Sequence, residues 1–389
     1  MSREPSERAM RTISVWTRVR QGSTFALVFV LTSCAGTPAT PSASPTATPL
    51  RTPLPVTPSP SLEGRPVEVV AGDGTHGDGG DGGPALEAMF EYPSGLVLDG
   101  DGNLYVADDY ANKVRRISAD GTITTVAGDG TADSHGDGGP AIEAGLSSPD
   151  DVVIAPDGTL YIAESDANRV RRVTPDGVIT TYAGNGDAAN AGDGGPATEA
   201  SISVPDGLAL ADDGTLYVSG ATAVRRIDDG GTITTIAGIG EEGWDDKYDG
   251  KPATQAAFTD ASSIVLYRGS LYLADFLDCV ILKVDRAGII HRVAGIGCAS
   301  FQGESTGDGG PALEAALARP ADIGFGPDGS LYILEHFGGL RRVAPDGTIS
   351  TLPLAWQYQE PLGMTIVGRD IYIADRDHYV IVKAELPRS

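Results

Sequence analysis

Glu335-His336 and, 40 residues on, Asp375, Asp377 and His378 stand at matching places in two consecutive repeats of a chain with only five histidines. An imidazole beside carboxylates serves as a general acid–base pair or as part of a transition-metal site. A solvated loop is the plainer reading of the same residues. A second set is five acids, Asp108, Glu164, Asp275, Glu335 and Asp375, each closing a run such as Leu-Tyr-Val-Ala-Asp. Gathered at one mouth of a ring they would offer the several oxygens that Ca²⁺ takes. Kept apart, each would cap its own loop, accepting backbone N–H groups or pairing with an arginine such as Arg115 or Arg171. A third set is aromatic and acidic: Trp244, Asp245 and Asp246 within Glu241–Gly250, and Trp356 and Tyr358 within Leu354–Pro361. Exposed aromatics anchor protein interfaces, although such loops also pack locally. The chain has no Gly-x-Ser-x-Gly, His-Glu-x-x-His or Cys-x-x-Cys, which removes the commonest nucleophile and zinc signatures.

The elements that must position these residues are written as a repeat. Leu104–Asp108 recurs at 160, 216, 271, 331 and 371, six copies at spacings of 56, 56, 55, 60 and 40 residues. Each copy lies between an apolar run entered through Pro or Asp and a third run such as Lys113–Ile117. Turns of the Asp-Gly kind separate the runs, and Gly and Asp tolerate the positive φ of hairpin turns. Four short antiparallel strands repeated six times predict an all-β, six-bladed β-propeller. The sixth repeat lacks a fourth strand, while a spare copy, residues 66–73, precedes the first. The N-terminal strand is therefore expected to complete the last blade and to close the ring.

Between blades lies a connector of the type Gly-Asp-Gly-Gly-Pro-Ala-Leu-Glu-Ala, at 80–88, 136–144, 192–200 and 307–315, with a degraded copy at 248–256. The connectors read as short helices beginning at Pro84, Pro140, Pro196 and Pro311. Leu86, Ile142 and Leu313 are expected to face inward, and Asp78, Asp81, Asp137, Asp193 and Asp308 to act chiefly as turn formers. The paired arginines at 115–116, 171–172, 225–226 and 341–342 cannot form one basic stripe, because successive strand residues point to opposite faces. They are expected to pair with acids of the same chain.

The pattern Pro-x-Gly, Asp-Gly, Leu-Tyr-Val-Ala-Asp, Asn-x-Val-Arg-Arg and Asp-Gly, best seen over 93–128 and 149–184, resembles NHL repeats across essentially all of 66–389. The resemblance implies a propeller that serves mostly as a binding platform; related six-bladed propellers include metal-dependent lyases and lactonases. Blade four lacks the Asn and paired Arg, and blade three loses the acid, so a strictly symmetric function is not expected.

The formal charge is -25, from 28 basic and 53 acidic residues, the reverse of a nucleic-acid binder and suited to a basic partner. Arg11, Arg18 and Arg20 precede a short apolar run, Thr24–Leu31, with the length of a signal-peptide core. Leu31–Cys34 resembles the lipobox of bacterial lipoprotein signals, which implies cleavage after residue 33 and a lipid on Cys34. Residues 34–61, rich in Thr, Pro and Ser, read as a disordered linker, and 62–389 as the propeller. Cys279 and Cys298 are left as a disulfide pair or as two free buried thiols. The expectation is an extracytoplasmic, lipid-anchored, monomeric binding platform for a protein or peptide, with no nucleic acid and no obligatory cofactor, a Ca²⁺ or other divalent ion being the one considered. The alternative is a metal-dependent lyase or hydrolase built on Glu335, His336, Asp375, Asp377 and His378.

Overall fold

A computed structural model describes residues 64–298, 305–358 and 360–388. The expected signal peptide 1–33, Cys34 and the linker 34–61 lie outside the described residues. No helix among the described residues is long and apolar enough to cross a membrane.

The described residues form six antiparallel sheets, one per repeat, each of four strands except the fourth, which adds the two-residue strand Lys251–Pro252. The inner strands are Pro93–Leu98, Pro149–Ile154, Leu208–Leu210, Ala261–Tyr267, Pro320–Phe325 and Pro361–Val367. Each adjoins the inner strand of the next blade, so they ring a central channel. Val67–Ala71 pairs with Val380–Glu385, with Val67 opposite Ala384 and Val69 opposite Val382. The first strand thus completes the last blade, as the repeat count predicts.

The core lies between blades rather than within them. Ala107, Val114 and Ala127 of blade one pack with Val152, Leu160 and Ile162 of blade two, and five further clusters repeat the arrangement. A second strand such as Leu104–Asp108 is therefore covered on both sides, which is why its sequence is nearly continuously apolar.

The connectors correct the sequence reading. Each is a single three-residue 3₁₀ turn, as at Ala85–Glu87, preceded by a proline in extended conformation. Residues three apart on a 3₁₀ turn share a side. Ala85 and Ala88 both pack down, and their carbonyls receive the N–H groups of Gly72 and Asp73. The residue between them must then face out: Leu86, Ile142 and Leu313 are 56, 57 and 46% exposed. The glycine opening each connector is required where it stands. At Gly80 φ is +98°, and a Cβ would lie 2.7 Å from the Ala88 Cα.

The connector aspartates do more than form turns. Arg171 is buried, and its guanidinium reaches Asp137 at 2.6 Å, the Ser134 hydroxyl at 3.0 Å, and the carbonyls of His135 and Gly145. Arg115, Arg225 and Arg341 hold Asp81, Asp193 and Asp308 in the same way. The second arginine of a pair points elsewhere, as the alternation requires: Arg342 meets Asp328 at 2.8 Å. Blade four has Leu282 in the buried arginine's place, and there Arg292 of the outer strand reaches Asp246 at 2.9 Å instead.

A comparable substitution explains the disulfide. Asn112 and Asn168 occupy a left-handed turn position, with φ of 53° and 54°, and accept the N–H groups of Ser148 and Val204 in the next blade. Cys279 takes that position in blade four, with φ of 54°, and is bonded to Cys298 of the following connector. A covalent tie stands where a hydrogen bond stands elsewhere.

Two carboxylates stitch the inner strands together at their bulges. Asp151 of blade two accepts the Leu208 N–H of blade three at 2.8 Å. Asp322 of blade five accepts the Met364 N–H of blade six and the Ser263 hydroxyl of blade four, each at 2.5 Å. Burial, with Asp322 across the channel, pushes Asp151 up to about 8, and burial pushes Asp322 up to about 6. A carboxyl whose folded pKa exceeds its unfolded value holds its proton longer in the folded state. Its contribution to stability is undiminished below the unfolded pKa and declines as pH rises through the folded one. We expect the unfolding free energy to fall as pH rises from about 4 to about 8. Asp151→Asn should flatten the upper part of that slope in urea unfolding followed against pH; an unchanged slope would show that Asp151 ionises normally.

Candidate functional site

In each blade the loop between second and third strands lies on the same side of the ring as the connector to the next blade. The acids, histidines and aromatics singled out in the sequence belong to this connector face, but the structure sorts them into different roles.

The strand-end acids are not a ring around a cation. Asp108 receives the N–H groups of Glu91 and Tyr92, Asp275 those of Thr259, Asp260 and Asp278, and Glu164 that of Ser147. Each is fully buried and fastens the loop that enters its own inner strand. Asp108, Glu164 and Asp275 are therefore not part of an exposed binding surface, as the sequence had suggested. Burial pushes Asp108 up to about 7 and Asp275 well above the usual range. Blade three manages without an acid because Gly220 lets the loop itself fill the space: a Cβ there would lie 2.3 Å from the Ser203 carbonyl oxygen. Among the described residues no three His, Cys, Asp or Glu side chains gather in a way that would hold a metal ion.

The five residues of the blade five–six cluster divide. Glu335 turns into its own blade, where it accepts the Ala318 N–H and bonds Ser305 and Arg341. Asp375 accepts from the Trp356 indole N–H at 2.7 Å and meets His378 Nδ1 at 2.8 Å. Trp356 is thus buried and fixed, with His378 edge-on to its ring. His336 and Asp377 come together instead on a cleft of about 540 Å³, whose walls include Phe337, Trp356, Tyr358 and Glu360. The cleft occupies the one junction where the regular connector is missing and Leu354–Pro361 replaces it.

Two polar atoms on this cleft are buried without a hydrogen-bond partner among the described residues, His336 Nδ1 and the Tyr358 hydroxyl. Burial, with Arg376 and Arg319 nearby, holds His336 down at about 4, so its imidazole is neutral at physiological pH. Burial and Asp375 push the Tyr358 phenol well up. An unpartnered buried polar group is costly, about 1–3 kcal/mol, and two on one cleft mark a place shaped for something other than packing.

The second aromatic insert makes a smaller cleft of about 340 Å³ beside the disulfide, lined by Trp244, Asp246, Leu277 and Arg292 among others. Its polar groups are already matched. Asp278 accepts the Trp244 N–H, Asp245 accepts the Lys247 N–H, and Asp246 pairs with Arg292. Trp244, Asp245 and Asp246 therefore build their own loop first.

Sequence reasoning missed Glu360, Phe337 and Arg376. Glu360 bridges His336 at 3.9 Å and Arg376 at 3.6 Å. The Arg376 guanidinium lies 3.9 Å from the centre of the Tyr92 ring, itself tilted at 43° against Tyr110. The available signal was positional: Phe337 and Arg376 follow strand-end acids, where the other repeats show no common residue.

A family model described as the Teneurin NHL domain matches residues 184–247. Teneurin-m of Drosophila melanogaster is 26% identical over 298 residues, covering 69% of this chain and 10% of that protein. Teneurin-3 of Mus musculus is 28% identical over 287 residues, covering 66% and 10%. The chain thus spans about a tenth of the length of the curated relatives it matches. Among solved structures, an auxiliary nutrient binding protein from Bacteroides thetaiotaomicron superposes with a TM-score of 0.57 at 17% identity, covering 82% of this chain and 75% of that one. Six repeats of the Leu-Tyr-Val-Ala-Asp kind, closed into a ring of antiparallel blades and matched by these relatives, make the chain an NHL-type six-bladed β-propeller.

Proposed function

We propose that this chain is an extracytoplasmic, lipid-anchored propeller that binds a protein or peptide on its connector face, at the cleft between blades five and six. One observation carries the reading: the Tyr358 hydroxyl and His336 Nδ1, both buried and without a hydrogen-bond partner among the described residues, belong to side chains that line one cleft. A rigid ring with one irregular, aromatic-walled junction is how a repeat scaffold presents a single site. The likeness to teneurin NHL domains and to a nutrient binding protein accords with a binding role. The apolar run before Cys34 supports the anchor.

Tyr358→Phe tests the site. Removing a hydroxyl that has no hydrogen-bond partner among the described residues should leave thermal stability unchanged or slightly raised. Capture of the bound partner from host membranes should weaken about five- to tenfold, the worth of one hydrogen bond. Val367→Ser, at an exposed position of an inner strand's far end, should leave capture intact. Equal capture by the wild type and Tyr358→Phe would remove the cleft from the reading. Release of Cys34→Ala into the soluble fraction tests the anchor.

A further inference from the structure

The chemistry of the cleft narrows what it can receive. His336 has a side chain only 10% exposed, and its Nε2 faces the Glu360 carboxylate at 3.9 Å. The Pro361 carbonyl also lies by the ring; a neutral imidazole with its proton on Nε2 leaves Nδ1 as an acceptor without a hydrogen-bond partner among the described residues. The Tyr358 oxygen is a second acceptor. At the rim, no hydrogen bond or ion pair reaches Asp377 from another described residue. Burial and the neighbouring Glu360 and Asp375 push Asp377 above the usual carboxylate range, which Arg376 and His378 only partly offset. Arg376 does not cancel this field, since its guanidinium is engaged by Glu360 and by the face of Tyr92.

An anionic ligand would meet two carboxylates. A neutral polyol would bring acceptors to a site already rich in them and leave the repulsion between Asp377 and Glu360 in place. A group with hydrogen-bond donors only, carrying positive charge, matches the acceptors at His336 and the Tyr358 oxygen, the counter-charges at Asp377 and Glu360, and the aromatic walls of Trp356 and Phe337. We propose that the cleft between blades five and six receives the ammonium or guanidinium group of a Lys or Arg side chain on a peptide, with His336 Nδ1 and the Tyr358 oxygen accepting its hydrogens. The inference rests on the cleft being the binding site and adds the class of residue that enters it.

The test uses the full chain and the indole N–H resonance of Trp356, one of only three tryptophans, assigned by substitution. The probe is the blocked pentapeptide Gly-Ser-Lys-Ser-Gly, with versions carrying Arg, norleucine, Nε-acetyl-lysine or Glu at the centre, and spermidine as a free amine. The Lys and Arg peptides should shift the resonance saturably. Norleucine, acetyl-lysine and Glu should bind at least tenfold more weakly. Asp377→Asn, a change at a loop position on the rim of the cleft, should weaken the Lys peptide about tenfold with no change in melting temperature, and added salt should weaken it further. Equal binding of the norleucine peptide, indifference to Asp377→Asn, or a response to spermidine alone would overturn the proposal. If a neutral peptide bound and lost its effect in Tyr358→Phe, the cleft would remain a binding site and only the cationic ligand would fall. If no peptide moved the resonance and Tyr358→Phe also captured its partner normally, both readings would fall.

Discussion

Deleting residues 64–74 should leave a chain that fails to accumulate as soluble, cooperatively folding protein. That segment carries the outer strand of blade six. Removing it strips the four paired positions from Val380–Glu385 and exposes the side chains that Val67 and Ala71 cover. Ladder hydrogen bonds at about 1 kcal/mol each, with about 1.5–3 kcal/mol for a buried valine, bring the loss to the order of 5 kcal/mol. That is comparable with the whole stability of an ordinary domain, about 5–15 kcal/mol. It would also leave an unpaired edge able to recruit other chains. The companion experiment moves the segment to the other end. Val67 lies opposite Ala384 in an antiparallel pair, so a short turn after Leu386 followed by residues 65–74 forms an ordinary hairpin. This permuted chain should unfold with a urea midpoint close to that of the parent. Failure of the permuted chain, or normal solubility of the deleted one, would show that blade six does not depend on the N-terminal strand.

Arg171→Ala should be the most damaging single substitution in blade two, costing about 3–5 kcal/mol, as expected when one partner of a buried ion pair is removed. The guanidinium satisfies Ser134, His135, Gly145 and Asp137 at once, and lies 3.5 Å from Glu164, which has no exposed surface. Without it Glu164 remains buried and uncompensated. The next residue gives the control. Arg172 points to the opposite face, and Arg172→Ala should cost no more than about 1 kcal/mol. Urea unfolding of the two variants separates them; equal losses would contradict the division of the pair.

The ring was legible in the sequence because its determinants are local and repeated six times. The strand runs, the Asp-Gly turns and the spare copy of Val67–Ala71 required no knowledge of distant contacts. What escaped notice depends on contacts that span a blade. Asp137 looks like a turn residue until Arg171, 34 positions on, is seen to reach it. Leu313 looks like the apolar face of a helix, but one 3₁₀ turn has room to bury only the alanines on either side of it. His336, Asp377, Trp356 and Tyr358 were singled out by residue type, yet two unfulfilled hydrogen-bonding atoms facing one cleft are visible only in three dimensions. Gly220 had passed for a lost acid, whereas it makes room for a neighbouring loop.

The pairing of Val67–Ala71 with Val380–Glu385 also sets the order of events during synthesis. The first strand to emerge finds its partner only when the last has been made, so every intermediate carries an open seam. Contacts this distant in sequence are slow to form, because the chain between them must first be confined. Blades one to five can each assemble as they appear, from hairpins of neighbouring strands, while the closing step waits for completion. Folding is therefore expected to end in one slow, cooperative event, during which premature proteolysis or self-association is most damaging.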